Sequence, residues 1–257
     1  MGLLRGPGRQ RDGTVRRHHR GGALNATRSP AGARTAFGVN AALAGIGFLL
    51  TLALSGLGLY ELVTPTGHTY GVHPDGLAGA WSRMADTVSY FTEWSNVVVA
   101  ISLFLLWRNP SDDSYWRRVL RLDSLLMITV TAIVYAVLLA PTEVVTGWSR
   151  LTNPWQHIVV PAVTVLVFLV WGPRGWFNWR VVLGSLLLPI AWILWMLGRG
   201  LVVGAYPYAF VDPLTHGYGA AFATIGQILV FGVIVALVYW GIDAALVRMT
   251  RGRTTQK

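Results

Sequence analysis

Five stretches of this 257-residue chain contain no Asp, Glu, Lys or Arg: 35–60, 124–142, 151–173, 181–198 and 213–242. Each has about 18 residues or more, enough to cross roughly 30 Å of hydrocarbon as a helix. A sixth stretch, 84–107, is polar in its first half and apolar in its second. Barrel strands would alternate over about ten residues, and these runs do not. The pattern predicts an all-α integral membrane bundle of six transmembrane helices, at 37–62, 84–107, 121–141, 154–172, 181–202 and 218–245. Composition agrees: 12% of residues are charged, about half the share in soluble domains. The chain then divides into a disordered basic tail (1–36), the transmembrane domain (37–245) and a second basic tail (246–257).

Basic residues set the expected orientation. Of 21 Lys and Arg, eighteen fall on one side of such a bundle: eight in the N-terminal tail, four in the second loop, two in the fourth and four in the C-terminal tail. Arg83, Arg150 and Arg199 fall on the other. Both termini are therefore expected in the cytoplasm. The net charge of +10 is a topology signal with room for anionic-lipid contact, and no nucleic-acid partner is expected. With no Cys, disulfides, thiolate metal sites and cysteine nucleophiles are excluded. No metal-ligand spacing stands out among the His and acidic residues, so neither a metal nor a cofactor is expected. Twenty Arg against one Lys point to a G+C-rich bacterial genome, and so to a bacterial plasma (inner) membrane.

The second span carries the polar residues. At 100° per residue, Asp86, Ser89, Thr92, Glu93 and Asn96 fall in one arc about 120° wide. Such an arc faces the bundle interior or a watery cavity, because an intramembrane carboxyl is expensive in lipid. The fourth span opens Thr152-Asn153-Pro154-Trp155-Gln156-His157, which reads as an Asn N-cap with Pro at the first helical position. That places His157 in the first turn, where a neutral imidazole can accept a proton. Pro161, four residues on, frees a carbonyl near it. Arg199 ends the fifth span on the outer side. The loop after it, 204–213, is aromatic and carries Asp212, free to pair with Arg199 or to orient His157. Gln227 in the last span lies at similar depth. Taken alone, Thr92 reads as a helix-packing hydroxyl. Trp81, Trp148, Trp155, Tyr206 and Tyr208 read as interfacial belt aromatics, and His68, His73 and His216 as surface residues. Asp123 and Asp243 read as interfacial anchors.

Three blocks together carry a resemblance. Tyr90-Phe91-Thr92-Glu93-Trp94-Ser95-Asn96 resembles a Phe-Thr-x-x-Ser-Asn signature, and His157-Ile158-Val159-Val160-Pro161 resembles a His-x-x-x-Pro signature. Tyr206-Pro207-Tyr208-Ala209-Phe210-Val211-Asp212 resembles a third block before the last span. Their order and separations over 37–245 resemble the bacterial multi-pass Pr-six-Pr family, which is distantly similar to the androgen-induced and androgen-dependent membrane hydrolases of animals. The chain departs from the bacterial pattern at Trp94, where Gln is usual, and at Ala209, where a second Pro is usual. The animal enzymes are Thr hydrolases of fatty acid esters of hydroxy fatty acids, so the resemblance implies a lipid-ester hydrolase with a fatty-acyl ester substrate and membrane lipids as partners, Thr92 as nucleophile and His157 as base.

The remaining roles are read from helical phase. Asn96, one turn below Thr92, is placed to donate to a developing oxyanion. Arg199 is placed to hold a fatty acid carboxylate, and Glu93 or Asp212 to orient the imidazole. Ser89, Asp86 and Gln227 would line the cavity. Two other classes fit the same residues: a small proton- or cation-coupled transporter or channel centred on Glu93, and a non-catalytic membrane scaffold. The sequence fixes neither the substrate nor the oligomeric state.

Overall fold

The computed structural model describes Gly2, residues 32–61 and residues 67–254. The Arg-rich tail therefore lies, for residues 3–31, outside the described residues. What is described is helical, with a lone parallel bridge between Thr69 and Tyr206 and no strand. In chain order the helices are α1 (Ala33–Gly56), α2 (Ala80–Thr87), α3 (Phe91–Arg108), α4 (Tyr115–Val134), α5 (Ser149–Pro154), α6 (Val160–Trp171), α7 (Trp179–Gly184), α8 (Leu187–Val203), α9 (Pro213–His216) and α10 (Tyr218–Thr254). A π-helical turn, Tyr135–Leu139, continues α4, and another, Trp155–Val159, joins α5 to α6. Helix α1 starts a few residues ahead of the expected boundary at 36/37. Helix α10 runs on through the basic stretch after 245.

Five helical units are long and apolar enough to cross a membrane: Ala33–Gly56, Tyr115–Leu139, Ser149–Trp171, Trp179–Val203 and Tyr218–Thr250. The run expected as a straight second span is broken. Gly76–Thr87 and Phe91–Arg108 meet at 73°. A break leaves helix-end N–H and C=O groups unpaired, and here aromatic side chains take them. Trp94 Nε1 donates to the Val88 carbonyl at 2.9 Å and Trp192 Nε1 to the Ser89 carbonyl at 3.0 Å, while the Phe91 N–H donates to the Tyr208 hydroxyl at 3.1 Å. The elbow is thus satisfied by one neighbouring Trp and by two groups remote in sequence.

The core runs through the centre of the bundle, where Val99, Leu103, Leu122, Leu125, Met127 and Phe168 are fully buried. Asp123 and Asp243 are buried as well. Asp243 accepts from the Gly175 and Phe177 N–H groups at 2.9 and 3.1 Å, pinning the α6–α7 loop to α10. At the opposite end, the Tyr206 N–H donates to the His68 carbonyl at 2.7 Å and the Tyr70 N–H to the Tyr206 carbonyl at 3.1 Å. This stitches the α8–α9 loop to the segment before α2. The close approach depends on Gly200, where a Cβ would lie 2.1 Å from the Tyr206 ring.

Candidate functional site

Thr92 lies in the first turn of α3, just past the elbow, and is buried. Its Oγ1 is 3.1 Å from His157 Nε2. His157 Nδ1 is in turn 3.0 Å from the Asn153 carbonyl oxygen. A carbonyl only accepts, so Nδ1 must carry the ring proton, leaving Nε2 as the acceptor facing the Thr92 hydroxyl. Tyr135 stacks on the imidazole with centroids 4.1 Å apart and planes 24° from parallel, holding the ring plane. Tyr135 and His157 come from the two π-helical turns.

The local fold around His157 differs from expectation. Asn153 is not an N-cap: α5 begins at Ser149 and Pro154 lies inside it. His157 therefore stands two turns into a helical run, within the π turn and away from a helix end. Pro161 has no N–H to offer the His157 carbonyl. One residue earlier, the Val160 N–H reaches back five residues to the Trp155 carbonyl. The turn is tied to α1 through Trp155 Nε1 to the Leu43 carbonyl at 2.9 Å, and through Gln156 Nε2 to the Gly47 carbonyl at 3.1 Å and Thr51 Oγ1 at 2.8 Å.

Two cavities of opposite character meet at Thr92. One is a polar vestibule of about 350 Å³, walled by Tyr60, Glu93, Glu143, Asn153 and His157. The other is a narrow apolar slot running toward α4, α8 and α10, walled by Leu126, Val130, Pro189, Trp192 and Leu229. Thr92, Leu139 and Tyr208 line both. A second polar cavity of about 440 Å³, reaching out past Asp75 and Arg83, shares Thr51, Tyr60, Tyr90 and Glu93 with the vestibule.

The other expected site residues divide. Glu93 is buried and reaches the vestibule, where its Oε2 accepts from Gln156 Nε2 at 3.4 Å; no hydrogen bond joins it to His157. Asn96 is buried one turn below Thr92, but its Nδ2 donates to the Thr92 carbonyl at 2.9 Å. One of its two amide hydrogens is therefore used within its own helix. Asp86 and Ser89 precede the elbow, so the single-helix arc does not hold for them. Ser89 is fully buried as a packing hydroxyl, donating to the Ala85 carbonyl at 2.7 Å and accepting from Trp195 Nε1 at 3.1 Å. Asp86 accepts from Arg199 Nη2 and lies 3.0 Å from His73 Nε2. Arg199 thus pairs with a carboxylate through Nη2, while its Nη1 is buried without a hydrogen-bond partner among the described residues. Asp212 meets neither Arg199 nor His157: it caps α9 through the Leu214 and Thr215 N–H groups and lies 3.3 Å from His68. Gln227 is exposed on α10, while Ile225, Ile228 and Leu229 of the same helix face the slot.

Tyr208 is the residue the belt reading missed. It is buried, with its ring edge-on to Tyr90 at 5.6 Å and stacked on Phe210 at 5.2 Å. Burial pushes its hydroxyl up to about 12, so it stays protonated. That oxygen accepts from the Phe91 N–H, and the hydroxyl also pairs with the Thr92 side chain, so its proton lies beside Thr92. The Tyr-Pro-Tyr spacing was the available signal. Tyr206 and Trp155 are also drawn inward, whereas Trp81 and Trp148 are exposed as belt residues are. His73, expected on the surface, is pulled in by Asp86. Among the described residues no group of three or more His, Asp or Glu could hold a metal ion. The chain matches no family model, and no curated protein and no solved structure matches it.

Proposed function

We propose that the chain is a threonine-dependent lipid-ester hydrolase of a bacterial plasma membrane, a six-span bundle with both termini cytoplasmic, of the Pr-six-Pr type that its three sequence blocks resemble. The bent pair α2–α3 serves as the second span. The observation that carries the reading is the Thr92–His157–Asn153 chain of contacts, 3.1 and 3.0 Å long. A Thr hydroxyl is a weak nucleophile until a neighbouring base takes its proton. This arrangement supplies a neutral imidazole with its lone pair on Oγ1 and its other nitrogen held by a carbonyl, the same division of labour as in Ser-His triads.

In the proposed reaction Oγ1 attacks the ester carbonyl carbon while His157 Nε2 takes the hydroxyl proton. The carbonyl oxygen becomes an oxyanion and accepts from the Tyr208 hydroxyl. Collapse breaks the C–O bond to the alcohol, which leaves with the proton from His157. Water, deprotonated by the same nitrogen, then attacks the acyl-threonine and frees the acid. Placement of Thr92 between an apolar slot and a polar vestibule supports an amphiphilic ester, with its alkyl part in the slot and its polar part in the vestibule.

The test is covalent labelling with an alkyl fluorophosphonate, together with hydrolysis of a long-chain acyl ester in proteoliposomes. Labelling should map to Thr92, persist in Thr92→Ser and vanish in Thr92→Ala. His157→Ala should lower turnover by about 10²–10⁴-fold, the range for losing a general base. Hydrolysis that survives both Thr92→Ala and His157→Ala overturns the assignment.

A further inference from the structure

Glu93 is almost wholly buried, yet it faces a third opening besides the two polar cavities. This is a small window of about 150 Å³ framed by Phe48 of α1, Val88 of the elbow, and Trp94 and Val97 of α3. The frame is apolar on every side except its floor, which is Glu93. The same α1–α3 seam carries, further from the elbow, an open apolar groove of about 710 Å³ lined by Gly38, Val39, Ala42, Ile101, Phe104 and Trp107. Val39, Ile101, Phe104 and Trp107 are exposed there, so the groove faces outward from the bundle, where hydrocarbon would lie. Between groove and window, Gly45 faces Ala100, with 3.8 Å separating a Cβ on the glycine from the alanine Cβ. Small residues on both helices keep the seam shallow at that point.

One side of the window is fixed and its floor is not. Trp94 is pinned by its bond to the Val88 carbonyl at 2.9 Å. The two hydrogens of Gln156 Nε2 are shared among three acceptors, Thr51 Oγ1 at 2.8 Å, the Gly47 carbonyl at 3.1 Å and Glu93 Oε2 at 3.4 Å, so Glu93 is the most weakly held. A bond of that length is weak. Turning the Glu93 side chain therefore sacrifices little, and Glu93 is the wall shared by window and vestibule.

We propose that the α1–α3 seam is a lateral portal. A bilayer lipid lays one alkyl chain along the groove and passes its polar end through the Phe48–Val97 window, past Glu93, to Thr92. The occupant is an acyl chain of a membrane lipid: the groove is uncharged, faces hydrocarbon and leads along one helix face to a carboxyl that adjoins Thr92 in sequence. The route rests on the ester-hydrolase reading for its destination, but its occupancy is measurable without turnover.

Two measurements separate the portal from the chemistry. In vesicles containing a phospholipid with a diazirine on its acyl chain, photolabelling should reach Glu93 or Trp94 in the native chain. In Val97→Trp, which fills the window, that label should fall at least fivefold while label on exposed Phe104 stays. Absence of label at Glu93 and Trp94 in the native protein, or an unchanged label there in Val97→Trp, overturns the portal whether or not the protein is an enzyme. In the kinetic arm, Val97→Trp should lower turnover of a long-chain ester in proteoliposomes about tenfold or more. It should leave a short-chain water-soluble ester, which reaches Thr92 through the vestibule, within about twofold. Equal loss on both esters marks a structural defect and overturns the portal. A native protein that cleaves neither ester refutes the hydrolase reading alone, and the photolabel then decides the portal.

Discussion

Arg199 near the end of α8 and Asp86 in α2 form an ion pair between the two helices, with both side chains nearly buried at 13% and 12% exposure. The second Asp86 oxygen lies 3.0 Å from His73 Nε2, and the guanidinium rides 4.4 Å from the Tyr70 ring centroid. Removing one partner strands a buried charge, which costs about 3–5 kcal/mol, whereas removing both for apolar groups is close to neutral. Asp86→Ala is therefore expected to lower unfolding stability by about 3 kcal/mol, and the double variant Asp86→Ala, Arg199→Met to recover most of it. Denaturant unfolding in detergent reads both. An Asp86→Ala protein within about 0.5 kcal/mol of the native one would show that the pair carries little stability.

Tyr208 supplies a buried, protonated hydroxyl beside Thr92, whereas Asn96 Nδ2 donates to the Thr92 carbonyl of its own helix. Tyr208→Phe is expected to lower turnover about 10²-fold, the scale of losing one oxyanion donor. KM should change little, because the donor acts on charge that develops only in the transition state. The same variant leaves the Phe91 N–H without its partner, costing about 1–3 kcal/mol of stability. A kcat unchanged by Tyr208→Phe would remove Tyr208 from the proposed reaction and leave the elbow as its role.

The spans were legible because charge-free runs of helical length leave a chain no other way to cross lipid. The elbow at 88–90 was not, since Val88-Ser89-Tyr90 holds neither Gly nor Pro. The groups that satisfy the break, Trp192 and Tyr208, lie more than 100 residues away. Helical phase therefore joined Asp86 and Ser89 to Thr92 on one face that the 73° bend divides. Thr92 and His157 were readable as motif residues, but His157 meets Thr92 from within a π turn that no periodicity announces. Gln227 shows the limit of depth alone: a position along the chain says nothing of rotation about α10, and there Gln227 is exposed.

Asp212 gives the α8–α9 loop a pH dependence. Burial works to raise its pKa. The Thr215 hydroxyl, the Leu214 and Thr215 N–H groups and His68 outweigh that and hold it below the usual carboxylate range. A carboxyl with a lowered folded value contributes stability above its unfolded pKa, about 3.9, and that contribution is lost as pH falls through the folded value. The Leu214 and Thr215 amides are expected to lose protection progressively below about pH 4. Asp212→Ala should cost about 1 kcal/mol at neutral pH, as for a lost helix cap, and should abolish the acid-side change. Hydrogen exchange at these two amides measures it. Protection that is flat from pH 5 to pH 3 in the native chain would rule the device out.

Pro161 separates the geometry of His157 from the stability of α6. An Ala at 161 gains an N–H that can pair with the His157 carbonyl four residues back, favouring an α register where the native chain has a π turn at Trp155–Val159. Moving one residue out of that turn rotates His157 by up to ~100° about the helix axis and carries Nε2 away from Thr92 Oγ1. The stability change should stay small, within about 1 kcal/mol, because replacing a helix-interior Pro with Ala is intrinsically favourable while the Trp155 and Gln156 bonds to α1 are strained. Pro161→Ala is therefore expected to lower ester turnover about tenfold or more with Tm nearly unchanged, and to weaken fluorophosphonate labelling of Thr92 in parallel. If turnover and labelling keep native rates in a folded Pro161→Ala protein, the π turn is not what presents the imidazole to Thr92. The anchors to Leu43 and Gly47 would then hold His157 in place by themselves.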